Sequence, residues 1–149
     1  MKAKLKIIVL ALCSLVIGCD FNDVPTVAFI LSNRLEARVD IRLDEDGGDE
    51  IPFRNGRYEV VVPRNGQLSF SSLEPLLAPH EQIIRYEGGS PVPAVGVGKL
   101  NPVERYWWAF GETVIDGKTI RLIYAVATPA QISKIDTFAA LGSKTIRKQ

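Results

Sequence analysis

Residues 105–127 read Arg-Tyr-Trp-Trp-Ala-Phe-Gly-Glu-Thr-Val-Ile-Asp-Gly-Lys-Thr-Ile-Arg-Leu-Ile-Tyr-Ala-Val-Ala. Two runs rich in β-branched and aromatic residues, Arg105–Ile115 and Lys118–Ala127, flank Asp116-Gly117. An Asp-Gly pair in that setting favours a type I′ hairpin turn, because both central residues must take φ > 0. A two-residue loop then dictates the register. Trp107, Ala109, Gly111 and Thr113 share a face with Ile120, Leu122, Tyr124 and Val126, small residues against large ones. The other face sets Tyr106, Trp108, Phe110, Glu112 and Val114 against Ala127, Ala125, Ile123, Arg121 and Thr119, which pairs Glu112 with Arg121. One bulge would exchange the two faces.

Other strands lie upstream. Thr26–Leu31 is almost wholly apolar and reads as a mostly buried strand. Glu36–Leu43 alternates with period two: Ala37, Val39, Ile41 and Leu43 on one face, Glu36, Arg38, Asp40 and Arg42 on a wet one. Arg57–Val62 is a further strand ended by Pro63, and Asn65-Gly66 has hairpin-turn chemistry leading into Gln67–Phe70. Pro75 and Pro79 limit helix in Ser71–Glu81 to a turn or two, and Gln82–Tyr86 is a short strand. Glu87–Pro93 and Val95–Asn101 are loop or edge material, rich in Gly and Pro.

Downstream, the pattern predicts a helix from Pro129 to Leu141. Thr128 is a good N-cap, Pro129 suits the first helical position and Gln131 completes a capping box. Ile132, Ile135, Phe138, Ala139 and Leu141 form its apolar stripe, and Gly142 ends it. The fold expected is mainly β: a small antiparallel β-sandwich or sheet domain, residues 26–142, with one C-terminal helix. Residues 143–149 are a polar, basic tail expected to fray.

The N-terminus has a different composition. Met1–Lys6 carries three lysines and no acid, and residues 7–17 are nearly all apolar. A basic start followed by a dozen apolar residues matches a secretory signal, and is too short to span a membrane comfortably, which takes about 20. Val16-Ile17-Gly18-Cys19 resembles the bacterial lipobox. That resemblance implies removal of residues 1–18 after Gly18 and lipidation of Cys19 through its sulfur. Two or three acyl chains give stable membrane attachment where one does not. Asp20 resembles the inner-membrane retention signal of enteric lipoproteins, and is equally well an ordinary solvated acid. Residues 19–25 form a tether, so the expected location is the extracytoplasmic side of a membrane, the inner one slightly favoured in a Gram-negative host.

Removal of Lys2, Lys4 and Lys6 would lower Lys+Arg from 18 to 15 against 17 acids. The mature chain is then slightly acidic with mixed charges, which argues against a nucleic-acid partner. Of Cys13 and Cys19 only the latter remains, so no disulfide, thiolate metal site or Cys nucleophile is expected.

Asp44, Asp46, Asp49 and Glu50 offer oxygen ligands of the kind Ca²⁺ prefers, but Asp49 stands where an EF-hand needs Gly and Asn55 where it needs Glu. A solvated loop is the expectation, and no metal or other cofactor is expected. His80 is the single histidine, and His80-Glu81 lacks a second His at 84, so a zincin motif is excluded. No Gly-x-Ser-x-Gly elbow occurs. Gly96-Val97-Gly98-Lys99 lacks the spacing of a phosphate loop. Tyr106, Trp107, Trp108 and Phe110 are the candidate binding surface. A helix laid across that ladder would instead make it core, and this second reading is the more economical.

Residues 29–72 are similar to an uncharacterised family of small exported bacterial domains. The resemblance rests on Val39-Asp40-Ile41, Asp46-Gly47-Gly48, Arg57-Tyr58 and Val62-Pro63-Arg64-Asn65-Gly66, and implies a β-rich envelope domain without a known activity. Together these readings suggest a lipid-anchored, non-enzymatic envelope module whose partner is an envelope protein. The alternatives are a small-ligand or cation carrier, and then a hydrolase or enzyme inhibitor; no small-molecule substrate is indicated.

Overall fold

The computed structural model describes residues 24–35, 38–96 and 98–142, with side chains in the last helix described as far as Ile135. The strands are β1 (Thr26–Leu31), β2 (Arg38–Leu43), β3 (Phe53–Arg54), β4 (Arg57–Val62), β5 (Gln67–Phe70), β6 (Glu81–Tyr86), β7 (Tyr106–Ile115) and β8 (Lys118–Ala127); the helices are α1 (Glu74–Leu77) and α2 (Pro129–Gly142). They form two four-stranded sheets, β3-β4-β1-β6 and β5-β2-β8-β7.

The sheets are stacked face to face. Period-two alternation aims Val27, Phe29 and Leu31 of β1 and Val60 and Val62 of β4 at Val39 and Ile41 of β2 and at Leu122, Tyr124 and Val126 of β8, all in one buried cluster. Phe29 of the first sheet meets Trp107 and Tyr124 of the second, with ring centroids 4.8 and 5.6 Å apart. Trp107 and Tyr124 stack at 4.7 Å. Such aromatic pairs add about 0.5–1.5 kcal/mol each beyond the area they bury.

The pairing is mixed rather than antiparallel. β1 is parallel to both β4 and β6, and β2 is parallel to β5; β2–β8, β7–β8 and β3–β4 are antiparallel. The cause is that the chain changes sheets at β1–β2, β2–β3, β4–β5, β5–β6 (by way of α1) and β6–β7. β1 and β4 run parallel and each hands the chain to the other sheet, where β2 and β5 are again parallel.

Asn65-Gly66 therefore makes no hairpin. The Gly66 N–H donates to the Pro63 carbonyl at 2.9 Å, turning the chain from β4 in one sheet to β5 in the other. Gly66 has φ 67°, and its carbonyl accepts the Asp40 N–H at 2.8 Å. A Cβ there would lie 2.0 Å from the Arg38 oxygen. The hairpin of this region is instead β3–β4, closed by Asn55 (φ 51°) and Gly56 (φ 77°), an Asn-Gly pair whose type I′ chemistry was equally visible in the sequence.

The Asp116-Gly117 turn forms as predicted, with φ 51° and 75°. The predicted register holds at Tyr106–Ala109 against Tyr124–Ala127 and at Val114–Ile115, and slips by one residue between. Bulges after Ala109 and after Thr113 place Glu112 opposite Leu122 and Thr113 opposite Arg121. The predicted Glu112–Arg121 pair is not made: Glu112 accepts from the Thr119 hydroxyl at 2.9 Å, and Arg121 turns to Asp40. α2 carries the predicted capping box. Gln131 N–H donates to Thr128 Oγ1 at 3.3 Å, and Thr128 N–H to Gln131 Oε1 at 3.0 Å.

Candidate functional site

Aromatic residues were the first candidates, and the fold divides them. Trp107 points between the sheets and is 3% exposed. Tyr106 is buried on the opposite face, its hydroxyl donating to Glu104 and accepting the Asn101 N–H, both at 2.9 Å. Trp108 is half-buried, its indole N–H given to the Ala127 carbonyl at 2.9 Å and its ring edge-on to Tyr106. Phe110 is half-buried at the bulge. The four do not form one exposed surface. Ile132 and Ile135 of α2 are half-buried; Phe138 and Leu141 lie outside the described side chains.

The acidic loop is spent locally. Asp44 accepts the Gly47 N–H at 3.0 Å, Glu45 forms an ion pair with Lys118 on the hairpin tip, and Asp49 bridges to β5 through its backbone. Among the described residues, no three His, Cys, Asp or Glu side chains converge as metal ligands. His80 has both ring nitrogens engaged, Nδ1 with the Ala78 carbonyl at 2.7 Å and Nε2 with Gln82 at 3.0 Å. Both contacts are local and tie the ring to its own loop. Cys19, Asp20 and the segment 1–18 lie outside the described residues, as do Val97 and the tail 143–149.

A polar cluster that the sequence reading assigned simply to a wet strand face proves to be the distinctive arrangement. On the outer face of the second sheet, Arg38, Asp40 and Arg42 stand at alternate positions of β2, and Arg121 faces Arg42 across the β2–β8 ladder. Asp40 is 2% exposed, so the expectation of a wet face fails at its centre. Arg121 grips the carboxylate with both arms of its guanidinium, Nε to Oδ1 at 2.8 Å and Nη2 to Oδ2. Arg42 approaches the same oxygens at 3.4 and 3.5 Å, and Arg38 Nη2 lies 3.6 Å from Oδ2.

Burial by itself pushes the Asp40 carboxyl pKa up. Hydrogen bonds from Arg121 and Arg42, helped by their charges, outweigh it and hold the group below its ordinary value. Asp40 raises the Arg121 pKa in return, against the opposing effect of burial. On the inner face, burial pushes the Tyr124 phenol up to about 12, with Glu112 adding to the shift. The period-two pattern located the arginines on one face. It could not show that Asp40 is covered, or that Arg121 would join it, because the bulge that frees Arg121 from Glu112 leaves no mark in hydrophobic patterning.

No family model matches the chain, and no curated protein matches it. Among solved structures, the crystal structure of a candidate lipoprotein from Bacillus anthracis aligns over 83% of this chain and 97% of that one, with 11% identity. The TM-score of that alignment is 0.38, a level at which the two need not share a fold.

Proposed function

We propose that this protein is a lipid-anchored envelope domain that acts by binding rather than by catalysis. The observation that carries the reading is the short distance in sequence between the lipobox cysteine and the centre of the fold. β1 begins at Thr26 and is hydrogen-bonded on both sides, to β4 and β6. The residues from Cys19 to Thr26 reach at most about 25 Å. A lipid on Cys19 would therefore hold a central strand of the domain close to a membrane surface, with little freedom to reach distant partners.

The binding role is supported by how the polar side chains are employed. His80 and the acidic loop serve local structure, and the best-formed charge cluster consists of arginines and a carboxylate held by pairing with one another. Lipidation is tested by mass spectrometry of the N-terminus with and without globomycin. The expected product is a diacylated chain starting at Cys19, replaced under the drug by an uncut chain. An unlipidated, uncut Cys19 without the drug would overturn the reading. Crosslinking in intact envelopes should yield a defined protein adduct, and its absence would remove the protein-binding role.

A further inference from the structure

Asp40, Arg38, Arg42 and Arg121 carry three positive charges and one negative on a single sheet face. The cross-strand partners add no further acid, and Asp44, the next alternate position after Arg42, accepts the Gly47 N–H. Asp40 is flanked by Gln67 and Ile123, Arg42 by Ser69, Arg38 by Ala125, and Arg121 by Thr113. Two like charges directly opposite across a ladder, as Arg42 and Arg121 are, destabilise a sheet unless an anion sits between them. Asp40 meets part of that demand.

The arginine donors outnumber the carboxylate acceptors. Three guanidiniums present about fifteen N–H donors, while one carboxylate offers about four acceptor sites. Arg121 makes the close fork to Asp40, and Arg42 only a looser one. Arg38 Nε is shut off from solvent and has no acceptor among the described residues. Alternate residues on a strand lie roughly 6.5 Å apart, so Arg38 and Arg42 stand on either side of Asp40, and both long side chains bring their guanidiniums to within 3.6 Å of its carboxylate. The Arg42 side chain is 57% exposed and Arg38 35%, so the outer edges of both forks are accessible. Asp40 orients the guanidiniums in advance, which reduces the entropy lost when they bind a planar or tetrahedral anion.

We infer that Arg38, Arg42 and Arg121, held in place by the buried carboxylate of Asp40, form a binding site for a phosphate-class oxyanion. The anion could be free phosphate or the phosphodiester of a lipid headgroup. Both present the same oxygens to the arginine forks. The site does not depend on lipidation of Cys19.

The test is thermal melting of the full chain in neutral detergent, titrated separately with inorganic phosphate and with glycerophosphoglycerol, the soluble headgroup of phosphatidylglycerol. Sodium chloride at matched ionic strength is the reference. At least one of the two phosphates should raise Tm saturably above the chloride reference. A response to inorganic phosphate alone assigns the free ion, and a response to the diester assigns the headgroup.

Arg42→Gln should weaken the apparent affinity about tenfold, as expected for loss of a charged hydrogen-bonding partner, and Arg42→Lys should restore part of it. Arg57→Gln removes a charge from the other sheet, where Arg57 pairs with Glu59, and should leave the affinity unchanged. Equal melting curves in phosphate, diester and chloride would overturn the inference. So would an equal loss from Arg42→Gln and Arg57→Gln. Neither result bears on the lipid anchor, which the globomycin experiment reads independently.

Discussion

The two ends of the β7–β8 hairpin obey the same local rules and meet different fates. At the base, Trp107 is 3% exposed, and Tyr106–Ala109 pair with Tyr124–Ala127 in the register that a two-residue turn imposes. Toward the tip, residues 111–118 are exposed and the ladder slips by a residue and then recovers. A slip at the base would turn Trp107 and Tyr124 away from Phe29 and open the core. Beyond the bulge few side chains are buried, so a slip costs little there. Register in this hairpin is fixed by burial at one end and by the turn at the other, and is free to adjust between.

Truncating a side chain at each end is the most direct way to break that comparison. Trp107→Ala should destabilise the domain by about 3–5 kcal/mol, the usual cost of removing a large core aromatic. Val114→Ala, at a position 49% exposed, should fall within about 0.5 kcal/mol of the parent. Urea midpoints at constant m-value decide it, and similar losses at the two positions would void the contrast.

Arg121 lies where the β7–β8 ladder slips, opposite Thr113 instead of Glu112, and forks to Asp40 across the β2–β8 ladder. Asp40→Asn should cost about 2–3 kcal/mol, less than for a fully buried pair because the three arginines are partly exposed. The pH dependence follows from the lowered pKa of Asp40. A carboxyl depressed in the folded state stabilises fully above its ordinary value of 3.8. That contribution is lost as pH falls through the lower folded pKa. Denaturant titrations stepped downward from pH 5 should show the loss in the parent, with this increment missing from Asp40→Asn at every pH.

A modest, local effect belongs to the turn. Gly117→Ala places a side chain at φ 75°, a conformation that costs an L-residue about 1 kcal/mol. The loss should be confined to the tip, with amide exchange faster at Val114–Thr119 and unchanged at Trp107.

These contrasts also explain what could be read from the chain. Thr26–Leu31, Arg57–Val62, the I′ turn and the capped helix at Thr128–Gln131 were legible because each is written in neighbouring residues. Parallel pairing was not, since it depends on which sheet a strand enters, and Pro63–Gly66 looks alike whether it closes a hairpin or crosses a sandwich. The Asp40 cluster was half legible. Arg38, Asp40 and Arg42 showed their common face, but Arg121 is supplied from far downstream through a bulge. The aromatic run Tyr106–Phe110 marked structure more than surface, because alternation sends Trp107 inward whatever its neighbours do.

The order in which strands occupy the two sheets also has a kinetic consequence. β2, near the start of the described chain, needs β8 as a neighbour, and among the described residues Phe29 of β1 meets its aromatic partners in β7 and β8. Pairings so remote in sequence require large loops to close first, which places the domain among slow folders, on a scale of milliseconds to seconds. A chain ending before Lys118 would lack the strand that joins β2 to β7. The N-terminal half must therefore wait, still open, until the last hairpin arrives, and the final strand completes a core that the first one began.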